Sequence, residues 1–133
     1  MTNKNQIIPR TLPTLTLSSI EEAKKVFVVL QAANINSIEV TLRSSVSDEA
    51  IEFLANQPEF NLGLGTVLSL GQLLKFKNLN ICYAVSPGFN EDVHDYCKQE
   101  EITYIPGVET ASEVMKMMSF GLDRLKFFPA EQS

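Results

Sequence analysis

Strand-like segments begin at residues 11, 37, 61, 81, 102 and 125, so successive starts lie about 20 to 26 residues apart. Between them run stretches of helical spacing. In "SSIEEAKKVFVVLQAAN", for instance, Ile20, Ala23, Phe27, Leu30 and Ala33 recur at the period of an α-helix. A spacing of this size fits a strand, a turn, a helix and a return loop. Five interruptions carry a residue that can cap a helix: Ser19, Ser47, Ser69, Asn90 and Thr110. Ser19 with Glu22, and Thr110 with Glu113, have the form of a capping box, in which each side chain satisfies a free backbone N–H of the first turn.

Such alternation implies a parallel sheet, either open and doubly wound or closed into a barrel. The pattern within "SIEVTLR" (37–43) favours the barrel. Side chains alternate along a strand, so Ile38, Val40 and Leu42 share one face while Glu39, Thr41 and Arg43 share the other. An open sheet covered on both sides would bury that carboxylate and guanidinium beneath a helix, which is costly unless they are paired. In a barrel the polar face turns to the interior and its mouth, where active sites of that architecture are built.

With 133 residues, 44% of them apolar and 20% charged, the chain suits a single folded domain spanning 1–133. A net charge of −5, with no basic cluster beyond Lys24 and Lys25, argues against a nucleic acid partner. The first residues lack a signal-peptide core and no stretch approaches the roughly 20 apolar residues of a membrane span. No membrane association and a cytoplasmic location are therefore expected. Cys82, in an apolar strand-like run, and Cys97, in a helix-like run, have no CxxC spacing and read as buried thiols.

Lys126, inside "LKFFPAE", is the sharpest chemical candidate. Leu125 and Phe127 should face the covering helices, leaving Lys126 and Phe128 directed inward. Burial beside an aromatic ring disfavours an ammonium, and a free amine attacks a ketone or aldehyde to give a Schiff base. The plainer alternative is a lysine whose stem packs on the strand while its head reaches solvent. An inward Glu39 suits the proton transfers that Schiff-base chemistry requires. Arg43, at the end of the same strand, offers a planar fork for a carboxylate. An internal Glu39–Arg43 ion pair without catalytic duty is the competing reading.

"GLGTVLS" (63–69) places Gly63 and Gly65 where another group needs close approach, with Thr66 supplying a hydroxyl, but as a phosphate loop it is incomplete. "SPG" at 86–88, with Pro87, and "PG" at 106–107 read as turns leaving strands. His94, near Glu91 and Asp92, reads as a solvated helix residue. No metal-ligand cluster is visible, and no cofactor is expected.

Taken together and in order, "IEVTLR", "GLGTVLS", "YAVSPG", "YIPGVETASEV" and "LKFFPAE" resemble the bacterial 2-keto-3-deoxy-6-phosphogluconate and 4-hydroxy-2-oxoglutarate aldolase family, from about residue 7 onward. The resemblance implies a (β/α)8 barrel, usually trimeric, that acts on a small keto acid as a class I aldolase without metal. It implies Lys126 as the Schiff-base lysine, Glu39 as the proton shuttle, Arg43 and Thr66 as groups for the pyruvyl carboxylate, and Pro87 and Phe128 as pocket lining.

The chain supplies about the first six β/α units of such a barrel. The family's later Thr-Gly-Gly and Gly-Ser segments, which hold a distal phosphate, are not among these residues. The expectation is that the protein continues past Ser133; a fragment that must associate with another copy or piece is the alternative. Thr16 stands where some relatives resemble one another in carrying arginine, which weakens the case for phosphate binding.

Overall fold

A computed structural model describes residues 12–127, and within them six parallel strands form one sheet in chain order. They are β1 (Thr14–Leu15), β2 (Ser37–Thr41), β3 (Asn61–Gly65), β4 (Tyr83–Ser86), β5 (Thr103–Val108) and β6 (Lys126–Phe127). The connecting helices are α1 (Ile20–Ala32), α2 (Asp48–Ala55), α3 (Leu70–Leu74), α4 (Glu91–Gln99) and α5 (Ala111–Ser119). This is the order of the first six units of a (β/α)8 barrel, as the repeat predicts.

Each predicted cap opens its helix. Ser19, Ser47, Asn90 and Thr110 accept N–H bonds from Glu22 (3.2 Å), Ala50 (3.2 Å), Val93 (3.0 Å) and Glu113 (3.1 Å). A cap of this kind contributes about 1 kcal/mol. At Thr110 the box is complete, because Glu113 accepts the N–H of Thr110 at 3.0 Å. The expected box at Ser19 is displaced by one residue: Glu22 accepts from the backbone N–H and the hydroxyl of Ser18, both at 3.0 Å. Two donors on Ser18 outcompete the single N–H of the cap residue.

Helix ends are closed by left-handed residues. After α5, Gly121 (φ +80°) donates to Met118 and Leu122 donates to Met117, the two bonds of a Schellman motif. Asn34 (φ +59°) and Glu101 (φ +58°) end α1 and α4 the same way, with Ile35 bonded to Leu30 and Ile102 to Cys97. Glu101 carries a Cβ in a conformation that glycine adopts freely. Glu101→Gly is therefore expected to stabilise the fold by about 1 kcal/mol, read as a higher urea midpoint at unchanged slope.

The two faces of the sheet divide as the alternation predicts. Ile38, Val40, Leu62, Leu64 and Ala84 are fully buried toward the helices, in one cluster with Ala23, Leu30, Ile51, Leu54, Val93 and Cys97. Each large aliphatic side chain so buried contributes about 1.5–3 kcal/mol. Phe27 of α1 meets Phe53 and Phe60 edge-on, with centroids 5.9 and 5.3 Å apart. Both cysteines are free thiols and buried, and burial pushes Cys97 up to about 12.

β1 is shorter than the sequence suggests, while β6 is described only as far as Phe127. Among the described residues β1 pairs only with β2 and β6 only with β5; β1 begins after Pro13, whose carbonyl accepts from Glu39. Strands bonded on one side have half the ladder to fix them. Leu15 and Phe127 on these strands, and Met115 and Met118 on α5, are exposed. His94 departs from its reading as a solvated residue. It is buried, with ring centroids 5.6 Å from Phe89 and 5.5 Å from Phe120.

Candidate active site

The register of the strands decides which side chains share the barrel interior. Glu39, Gly63, Tyr83 and Thr103 form one continuous row across β2 to β5. Thr103, Ile105 and Gly107 alternate onto the same face of β5, and Gly107 pairs with Lys126. Lys126 therefore lies on the interior face with Glu39, and it is half-buried.

Glu39 is 6% exposed. Burial raises its carboxyl above the usual carboxylate range, and the positive charge of Lys126 pulls it part of the way back. The lysine thus acts electrostatically on the glutamate from four strands away in the sheet order, across the concave side.

Two glycines make room for this arrangement. A Cβ placed on Gly65 would overlap the Glu39 carboxylate, and one on Gly63 would overlap the Tyr83 ring. The close approach expected at "GLG" is thus made by interior side chains. The Tyr83 ring fills the space over Gly63, and its hydroxyl lies 3.4 Å from Ser37 Oγ. Burial pushes that hydroxyl well above the ordinary tyrosine value, so it stays protonated. The hydroxyls of Thr16 and Thr41 bond to each other on the same face. The sequence reading places Thr41 on the Glu39 face and names Thr16, but neither their contact nor Tyr83 is singled out by it.

Thr66 follows Gly65 with φ +55°. For a β-branched residue that is a strained backbone, of the kind that persists where the surroundings impose it. Val67 N–H bonds to the Val85 carbonyl at 3.0 Å and holds the turn against β4. Pro87, just past β4, is exposed, and its carbonyl oxygen occupies the space a side chain at position 107 would need. Arg43 lies beyond the end of β2 and is exposed. It lines a cleft of about 230 Å³ with Asp48, Gln72 and Lys75, where Lys75 pairs with Asp48 at 2.6 Å. Phe128 lies outside the described residues. The structure thus brings Glu39, Gly65 and Lys126 onto one face and leaves Arg43 at its rim.

Among the described residues no group of His, Cys, Asp and Glu could hold a metal ion, and no helix is long and apolar enough to cross a membrane.

Comparison with known proteins bears on this site. The family described as KDPG and KHG aldolase matches residues 4–133. The chain is 37% identical over 120 residues to 2-dehydro-3-deoxy-phosphogluconate aldolase of Zymomonas mobilis, covering 90% of this chain and 58% of that protein. It is 36% identical over 121 residues to the KHG/KDPG aldolase of Escherichia coli, covering 90% and 57%. In structure it is similar to KDPG aldolase from Legionella pneumophila with pyruvate captured as a covalent carbinolamine intermediate, with a TM-score of 0.78 and 34% identity, covering 90% of this chain and 60% of that one. The chain spans somewhat under two thirds of the length of these relatives. With its parallel order, interior glutamate and lysine, and a match over nearly its whole length, the chain belongs to the KDPG and KHG aldolase family.

Proposed function

We propose that the protein is a class I aldolase, cleaving a 2-keto-4-hydroxy acid to pyruvate and an aldehyde through an imine on Lys126. The substrates that fit are 2-keto-3-deoxy-6-phosphogluconate, giving glyceraldehyde 3-phosphate, and 4-hydroxy-2-oxoglutarate, giving glyoxylate. The observation that carries the proposal is a buried Glu39 whose strand register places it on the same concave face as Lys126. A pyruvate adduct captured on a Legionella relative supports covalent chemistry of this type.

In this reading the Lys126 amine adds to the C2 ketone and water leaves. The protonated imine then accepts the electron pair released when the C3–C4 bond breaks. Glu39 takes the proton of the C4 hydroxyl and later returns a proton to C3 of the enamine, after which hydrolysis frees pyruvate and the amine. A carboxyl raised by burial stays nearer to the operating pH, which suits both directions of transfer. Arg43 and Thr66 hold the pyruvyl carboxylate, and Pro87 and Phe128 line the pocket. The same reading carries a cytoplasmic homotrimer that needs no metal or organic cofactor.

Borohydride added with pyruvate tests the proposal. Reduction of the imine leaves a stable secondary amine, and digestion should locate it on the peptide bearing Lys126. Folded protein that acquires no adduct overturns the reading.

A second reading is favoured by the two outer strands, each with one neighbour among the described residues, and by exposed Leu15, Phe127, Met115 and Met118. It is a non-catalytic module that associates through these edges and binds an acid ligand at Arg43. It requires that Lys126→Met leave both association and ligand binding unchanged, whereas the aldolase loses all adduct formation.

A further inference from the structure

We infer that the hollow between α4, the start of β5 and the α5–β6 turn is a second ligand site, taking a small carboxylate carried on a flat aromatic body. The cavity measures about 420 Å³ and is lined by His94, Lys98, Tyr104, Phe120, Asp123 and Arg124, among others. That size lies within the range of small-molecule sites, which are apolar hollows with a few placed polar groups.

Its position separates it from the aldolase site. Thr103, the first residue of β5, and Arg124, two residues before β6, both line it, so it opens at the amino ends of the strands. Arg43, Thr66 and Pro87 all follow the carboxyl ends. It lies between α4 and the start of β5 rather than at the outer edge of β1 or β6.

The lining sets the ligand chemistry. An aromatic floor is formed where the His94 ring meets Phe120 at 5.5 Å and Tyr104 at 6.2 Å, with Phe89 behind at 4.8 Å from Phe120. A flat ring laid against such a floor gains stacking beyond its area burial. The exposed Lys98 and the half-buried Arg124 set two basic side chains against the single carboxylate of Asp123 among the lining residues, in a chain whose net charge is −5. The fork of an arginine pairs with a carboxylate through two parallel bonds, which selects that anion over a neutral amide of the same shape. The His94 ring is held by its packing against Phe89, Tyr104 and Phe120, and its Nδ1 is 3.3 Å from the exposed Asp95. Arg124 is half-buried and lies three residues past the Gly121 turn.

Benzoate is the probe. Added to the folded full chain and followed by amide chemical-shift changes, it should give saturable shifts centred on residues 94–104 and 120–124. Benzamide, the same ring without charge, and inorganic phosphate, an anion without a ring, should each bind at least tenfold more weakly. Arg124→Gln should weaken benzoate at least tenfold while Arg124→Lys recovers part of the loss. Shift mapping on the unaltered protein keeps the proposal testable should a variant unfold. No saturation with benzoate, shifts centred elsewhere, or equal binding of benzamide or phosphate would each overturn it.

Discussion

Glu39→Gln is expected to produce a protein that resists heat better than its parent at neutral pH and turns over substrate about 10²- to 10⁴-fold more slowly, the range associated with losing a positioned general acid or base. Both effects have one cause. The Glu39 carboxyl is raised by burial, with only partial relief from Lys126. A raised carboxyl means that the folded state holds a proton that the unfolded chain has released. Stability is then full below the ordinary value of 4.5 and falls as pH rises through the folded value. Glutamine removes that fall, so the gap in melting temperature between variant and parent should open above pH 4.5 and level off once Glu39 is ionised in both states. Adduct formation with pyruvate should persist at Lys126, more slowly, because the amine is untouched. A variant whose melting temperature tracks the parent at every pH would contradict the burial argument; one with full turnover would remove Glu39 from the chemistry.

The behaviour of Glu39 shows what the sequence could and could not reveal. Helix starts were legible because a cap is a local event: Ser19, Ser47, Ser69, Asn90 and Thr110 all stand where their helices begin. Strand alternation was equally legible in β2, where Ile38 and Val40 face the helices and Glu39 and Thr41 the interior. Past Thr41 the strand ends, and with it the rule that would aim Arg43; its exposed position depends on the β2–α2 loop.

His94 was misread because Glu91 and Asp92 precede it in the first turn of α4, where acidic side chains face solvent and favour the helix N-terminus. The corrective signal was present. Val93 and Cys97, four apart, define a buried face that His94 adjoins. Strand alternation already turned both Lys126 and Glu39 inward; what it could not supply is how near they come, since that depends on the curvature that brings β6 toward β2.

The glycines of β3 carry the second large effect. Gly65→Ala is expected to lower turnover about 10²-fold, the scale of loss caused by a displacement of roughly 1 Å in a positioned group, while the fold survives with a cost of about 1–3 kcal/mol for overpacking. The reason is what the new methyl group meets. At position 65 it overlaps the end of the Glu39 side chain, which can swing aside and lose its alignment with Lys126. At position 107 it would overlap the backbone carbonyl of Pro87, which has no rotamer to change. Gly107→Ala should therefore be seen first as a lowered melting temperature, and Gly65→Ala first as lost activity. If Glu39 is the group displaced, the effects of Gly65→Ala and Glu39→Gln cannot add: once the carboxylate is gone, the extra methyl has nothing catalytic left to move. Full additivity in the double variant would show that Gly65 serves something other than Glu39.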